Sequence, residues 1–305
     1  MKILVVGAGA IGGYFGGRLL EKGEDVTFLV REKRKKQLEK TGLKVESVKG
    51  NFEVSPPVML AGENEDKFDV ILITTKSYQL SDVIEDVRLH LKEDGIILPL
   101  LNGIAHMDLL VDSFGEDAVI GGLCFIESTL NEQGAVVQTS PINQLVYGER
   151  TGERTQRIEQ LETVFEGTKA DFVLSEDIDQ DMWHKYLFIT AMSGVTSLME
   201  SPIGPITELE SGQRVLAELL NEITKVMRKM EAPIKDDIVD LQYKRILDLN
   251  GSMKSSMQRD MEKSLPIEAD HLQGFLIKKA REHNLSVPIL DTIYTKMTLY
   301  EKQRN

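Results

Sequence analysis

A chain of 305 residues, 41% hydrophobic and 28% charged, has the composition of a globular protein and the length of two domains. Its formal net charge of −13 argues against nucleic acid or an anionic membrane surface as a partner. With Cys124 as its only cysteine and five scattered histidines, it offers neither an intramolecular disulfide nor a metal-ligand spacing. No apolar stretch reaches the length of a membrane helix, and the run 3–9 is too short for a signal peptide, so the expected location is the cytoplasm.

The chain opens on Lys2-Ile3-Leu4-Val5-Val6, a β-branched apolar run suited to a buried strand. It passes directly into Gly7-Ala8-Gly9-Ala10-Ile11-Gly12 and a helical pattern over 12–22. In that setting Gly7 permits the tight turn, Gly9 lets a diphosphate approach the backbone, and Gly12 allows helix and strand to pack closely. Residues 7–12 therefore form a candidate dinucleotide site at a helix N-terminus. Gly13, Gly16 and Gly17 continue a smooth packing face. After Gly23, further strands are predicted over 25–30, 43–46, 69–74, 95–100 and 118–123, then a less regular pair within 135–147. Helices are predicted over 81–91 and 107–114. This alternation implies a mostly parallel, doubly wound sheet with right-handed crossovers.

From about residue 177 the texture changes. Helical patterns run over 177–199, 207–230, 235–249, 252–263 and 267–283, punctuated by Pro202, Pro205, Pro233, Gly251 and Pro266, with a last helix after Pro288. The expected architecture is an α/β chain: an N-terminal Rossmann domain over 1–174 and an all-helical domain over 175–305. The stripe over 207–230 offers a homodimer surface, although such stripes more often serve as intramolecular core.

A site for NAD usually carries Asp or Glu at the end of the second strand. Here that place holds Arg31, followed by Lys33, Arg34, Lys35 and Lys36. A guanidinium fork suits the 2′-phosphate of NADP, which a carboxylate would repel, so NADP is the expected cofactor. An exposed basic helix start accounts for part of the run 33–36.

Four further clusters carry chemistry. Within Trp183-His184-Lys185, Lys185 shares a helix face with Ile189 and Ser193, and a buried lysine there could donate a proton to a carbonyl. His184 points about 100° away around the helix and reads as structural. Ser255-Ser256-Met257 and Pro266-Ile267-Glu268 form the second cluster, with Pro266 suited to a first helical turn and Glu268 to the positive end of its dipole. Thr75-Lys76 and Asn102-Gly103 each follow a predicted strand, where open α/β sheets bind ligands.

Taken together, Gly7 to Gly12, Arg31, Thr75-Lys76 with Gln79, Asn102-Gly103, Trp183-x-Lys185, Ser255-Ser256-Met257, and Glu268 with His271-Leu272-Gln273-Gly274-Phe275-Leu276 resemble the ketopantoate reductase family over nearly the whole chain. The resemblance implies reduction of a small-molecule 2-keto acid by NADPH, with 2-dehydropantoate as first-choice substrate. It makes Lys185 the general acid and has Glu268 hold the substrate and the nicotinamide end of the cofactor. Asn102 would contact cofactor and substrate, Lys76 the cofactor, and Ser256 a substrate carboxylate or hydroxyl.

One departure stands out. The family presents asparagines four and eight residues after the lysine, where this chain has Ile189 and Ser193. A reductase of a less polar 2-keto acid is therefore the alternative, and a non-catalytic NADP-binding sensor is the alternative of another class.

Overall fold

The computed structural model describes residues 1–304. The chain forms two compact units: Met1–Leu101 with His106–Ile178, and Asn102–Ala105 with the segment from Asp179 onward.

The first unit runs β1 (Lys2–Val6), α1 (Ala10–Lys22), β2 (Asp25–Leu29), α2 (Glu32–Thr41), β3 (Leu43–Ser47), β4 (Phe52–Val54), β5 (Val58–Met59), β6 (Phe68–Ile73), α3 (Leu80–Val87), β7 (Leu91–Pro99), α4 (His106–Phe114), β8 (Gly121–Leu130), β9 (Val136–Gly148), α5 (Gln156–Phe165) and β10 (Asp171–Leu174). Five strands make a wholly parallel sheet in the order β5-β2-β1-β6-β7. Ile3 to Val6 and Val70 to Ile73 are buried, as central parallel strands require. From β1 the chain proceeds outward to β2 and β5 on one side and to β6 and β7 on the other. The crevice beyond the carboxyl ends of β1 and β6 is thus a topological switch point.

A second, mixed sheet has the order β10-β9-β3-β4, with β8 antiparallel to β9. The sequence reading anticipated one sheet. The run 118–123, read as a single strand, is divided. Val119 bridges Ile97 at the edge of the first sheet, while Gly121 begins β8 in the second. The irregular pair at 135–147 is one long strand. Its irregularity lies where Ile126 pairs with Asn143 and Ser128 with Gln138, so that residues 139–142 bulge opposite Glu127. Pro141, which has no N–H to donate, lies in that bulge.

Helix α1 lies between the two sheets. A Cβ on Gly16 would meet Phe28 and Val5 of the first sheet, at 2.8 and 2.9 Å. One on Gly13 or Gly17 would meet Val136 or Phe52 of the second, at 2.8 and 2.9 Å. The glycines therefore serve two packing faces. Arg18, on the same helix, is fully buried. Its Nη1 donates to Glu21 and its Nη2 to the Gly50 carbonyl, 2.7 and 2.8 Å away, with the Tyr14 and Phe52 rings against the guanidinium.

In the second unit every described element is helical: α6 (Ile178–Leu198), α7 (Ile203–Thr207), α8 (Glu210–Lys229), α9 (Ile238–Leu247), α10 (Ser256–Glu262), a π-helical turn (Asp270–Gly274) running into α11 (Phe275–Glu282), and α12 (Pro288–Arg304). The apolar stripe of α8, from Leu216 through Leu220 and Ile223 to Met227, is buried against α9, α11 and α12 and forms intramolecular core. Pro266 differs from expectation. Residues 265–268 form no regular secondary structure and helix begins at Ala269, so Pro266 precedes the helix rather than opening its first turn.

Candidate active site

The glycine loop is held from three sides. Gly7, at φ +97°, donates its N–H to the Leu29 carbonyl at 2.9 Å. The Thr74 hydroxyl donates to the Val6 carbonyl at 2.8 Å and lies 3.1 Å from that of Gly7. A Cβ on Gly12 would stand 2.0 Å from the Gly7 carbonyl oxygen and 2.3 Å from Thr74 Oγ1, a contact no side chain tolerates. At Gly9 a Cβ would meet nothing within 4 Å. Gly12 is thus required by the protein's own packing, whereas Gly9 leaves its backbone open to something outside it. The first turn of α1, which contains Ala10, Ile11 and Gly12, has no side-chain cap and no acidic residue. The Thr75 hydroxyl, at the end of β6, is buried and hydrogen-bonds nothing among the described residues. Open backbone, uncapped helix N-terminus and orphaned hydroxyl together fit a dinucleotide diphosphate.

The basic run sorts into distinct roles. Arg31 is exposed at the N-cap of α2, at the end of β2; burial and the Asp82 charge push the Asp86 carboxyl above the usual carboxylate range, and the Arg31 charge offsets only part of that shift. Lys35 pairs with Glu63 at 2.5 Å and Lys36 with Glu32 at 2.8 Å. Arg34 is half-buried within this unit rather than part of an exposed helix start. Its Nε donates to the Ala8 carbonyl of the glycine loop at 3.0 Å. Lys76 caps the short 3₁₀ turn Ser77–Gln79, and its carbonyl accepts the Gln79 N–H at 2.9 Å.

The remaining candidates belong to the second unit. Lys185 is only 6% exposed, and Ser193 on the same face of α6 is 1% exposed, with Ile189 partly exposed between them. Buried Gln273, from the π-helical turn, donates through Nε2 to Ser193 Oγ at 3.0 Å and to the Thr190 carbonyl at 3.3 Å. Because a carbonyl can only accept, the amide nitrogen must face Thr190, and Oε1 points away without a partner among the described residues. The Tyr186 hydroxyl donates to the Leu272 carbonyl at 2.6 Å, and burial pushes its ionisation well above the ordinary range. These bonds seat the π-helical turn on α6. At the other end of α6, the Thr196 hydroxyl donates to the Met192 carbonyl at 2.8 Å and accepts from the Ser255 hydroxyl at 2.9 Å. Ser255 in turn caps α10, accepting the Gln258 N–H, so Ser256 begins the helix and is partly exposed.

Glu268 lies just before the π-helical turn, and its carbonyl accepts the Leu272 N–H at 3.0 Å. The Asn102–Ala105 segment packs against this turn: a Cβ on Gly103 would come within 3.0 Å of the His271 ring. Burial lowers the His271 pKa below its ordinary 6.5, against the opposing influence of the Glu268 charge and a hydrogen bond with the Asn102 backbone. His184 accepts the Lys235 N–H at 3.2 Å, in keeping with a structural role. Sequence reasoning missed the tie between Gln273 and Ser193, which spans 80 residues, and the burial of Arg34.

Among the described residues no group of three His, Cys, Asp or Glu could hold a metal ion, and no helix is long and apolar enough to cross a membrane. A parallel sheet with a glycine loop at its switch point, followed by a helical unit holding a buried lysine, is a framework for binding a dinucleotide, and the family matches make the chain a pyridine-nucleotide oxidoreductase acting on CH–OH groups. Residues 3–152 match the family model for ketopantoate reductase PanE/ApbA and residues 177–301 its C-terminal counterpart, so the chain belongs to the ketopantoate reductase family. It is 46% identical to an uncharacterized oxidoreductase, YkpB, of Bacillus subtilis strain 168, with both chains covered completely. Among solved structures it is similar to a 2-dehydropantoate 2-reductase from Geobacter metallireducens GS-15, at 27% identity and TM-score 0.88, covering 98% of this chain and 99% of that one. A D-mandelate dehydrogenase solved with NADH and anilino(oxo)acetate shares the fold, at 22% identity and TM-score 0.90 with both chains covered completely.

Proposed function

We propose that this protein is an NADPH-dependent 2-keto acid reductase, and that 2-dehydropantoate, reduced to pantoate for pantothenate and coenzyme A synthesis, is its substrate. The observation that carries this reading is Lys185: a lysine buried inside a helix, in a family of keto-acid reductases. Reduction of a ketone develops negative charge on oxygen, and a cationic acid held there both stabilises that charge and delivers the proton. A bound reduced nicotinamide supplies the hydride. The N–H groups of residues 7–12 hold its diphosphate, Arg31 binds the 2′-phosphate, and Lys76 and Asn102 contact the cofactor. Glu268 orients the nicotinamide end together with the substrate, and Asn102 and Ser256 hydrogen-bond the substrate's polar groups.

A second reading, a less polar 2-keto acid, is favoured by Ile189 and by Ser193, whose hydroxyl already accepts from Gln273. Initial rates with NADPH and NADH, on 2-dehydropantoate and on the analogue lacking only its hydroxyl, separate the readings. Preference for 2-dehydropantoate with NADPH supports the first. A tenfold or greater preference for the analogue supports the second, roughly the discrimination that a small change in an apolar pocket provides. Tight cofactor binding with no turnover on any 2-keto acid would overturn both and mark a sensor.

A further inference from the structure

Arg34 joins two loops that lie far apart in the sequence. Its Nε donates to the Ala8 carbonyl, 3.0 Å away in the glycine loop. Its Nη1 donates to the Gly134 carbonyl at 2.8 Å, in the turn between β8 and β9, and also to Gln37 Oε1. Gln37 reaches the same turn, donating to the Gln133 carbonyl at 3.2 Å. Gly134 has φ +79°, and a Cβ there would fall 2.7 Å from Gln37 Oε1 and 2.8 Å from Arg34 Nη1, so the turn is shaped around the guanidinium. The third guanidinium nitrogen, Nη2, is buried and hydrogen-bonds nothing among the described residues.

The bond to Ala8 has a directional consequence. No peptide bond among the described residues is cis. Across a planar trans peptide the carbonyl and the following N–H point in opposite directions. Holding the Ala8 carbonyl toward Arg34 therefore turns the Gly9 N–H the other way. At Gly9 the space that a Cβ would take is empty of protein.

We infer that Arg34 is a positioning residue of the dinucleotide site: by clasping the Ala8 carbonyl it fixes the peptide that presents the Gly9 N–H to the diphosphate. This rests on the assignment of the glycine loop to a pyridine nucleotide, and it gives Arg34 a role separate from that of Arg31. The diphosphate is common to NADPH and NADH, so Arg34 serves both equally, whereas Arg31 distinguishes them.

Equilibrium binding of NADPH and of NADH is measured by calorimetry on wild type, Arg34→Met, Arg34→Lys, Gln37→Met and Arg31→Ala, together with thermal midpoints without cofactor. Arg34→Met should raise both dissociation constants by the same factor, roughly tenfold, the worth of one hydrogen bond from a charged donor. Arg34→Lys, which keeps a cation able to reach one carbonyl, should fall between it and wild type. Gln37→Met loosens the same turn without touching Ala8, so it should lower the thermal midpoint and leave both dissociation constants unchanged. Arg31→Ala should weaken NADPH alone. Unchanged affinities in both Arg34 variants, a loss confined to NADPH, or an equal loss in Gln37→Met would each overturn the inference. Failure of wild type to bind either nucleotide would instead overturn the cofactor assignment. If Arg34→Met does not fold, the position of Arg34→Lys relative to Gln37→Met decides.

Discussion

The glycine loop and the inner face of α6 solve opposite problems. The loop exposes backbone, and it does so by omitting side chains: a Cβ at Gly12 would strike the Gly7 carbonyl, and one at Gly9 would cover open backbone. The site proposed on α6 relies on side chains, Lys185 and Ser193, and Ser193 is tied through Gln273 to a helical turn 80 residues away. A site made from missing atoms is compact in sequence and hard to vary. A site made from present atoms is dispersed, and it can change its substrate by exchanging one residue at a time. The departures from the family pattern at Ile189 and Ser193 fall on the dispersed side.

Substitutions can test this contrast, beginning with the largest effect. Lys185→Ala should lower kcat by about 10²- to 10⁴-fold, the usual worth of a positioned acid, while cofactor affinity measured by titration stays near wild type. Turnover close to wild type would remove Lys185 from the chemistry. The two loop glycines should then separate. Gly12→Ala should cost about 1–3 kcal/mol of stability, as overpacking does, and should also weaken cofactor binding by displacing the Gly7 carbonyl. Gly9→Ala, at φ −80° and clear of protein atoms, should leave stability without cofactor within about 0.5 kcal/mol of wild type yet still weaken cofactor binding. Equal stability losses in the two variants, read from denaturant unfolding, would break the distinction between packing and ligand glycines.

The smallest expected effect is a pH dependence in the second unit. Burial holds the His271 pKa below its ordinary 6.5, so in that range the unfolded chain binds this proton more readily than the folded chain. The contribution of His271 to stability is complete above about pH 6.5 and is lost as pH falls through the lower folded value. The stability of wild type relative to His271→Gln should therefore decline on acidification below about pH 6.5. A difference that does not vary with pH would show that the ring titrates alike in both states.

Much of the first unit was legible because its determinants are local. Strand β1, the glycine spacing and Arg31 at the end of β2 lie within 31 residues and carry their meaning in residue type. The second sheet was only partly legible. There β4 and β10 have only three and four residues, and β10 exists through pairing with a remote partner, as in Phe172 with Leu145; the two-residue β5, at the edge of the first sheet, depends likewise on β2. Arg34 stands in a run that reads as an exposed helix start, and nothing local marks Arg18 as buried, because both reach carbonyls of distant loops and carbonyls have no signature in a sequence. Gln273 is visible as a residue within a recognisable motif, but its bond to Ser193 depends on how the π-helical turn meets α6. The grouping of Asn102–Ala105 with the helical unit has no local signal at all.

The glycines of α1 also bear on how the protein assembles. Gly12, Gly13, Gly16 and Gly17 occupy four of six consecutive positions, and each lowers helix propensity by about 0.8–1.0 kcal/mol relative to alanine. A helix of 13 residues so composed has almost no tendency to form alone. Its helicity therefore rests on packing between the two sheets, and so does the common direction of the N–H groups at its head. Amide exchange along α1 then reports opening of the whole unit rather than local fraying, and a bound dinucleotide slows it by drawing on the complete fold.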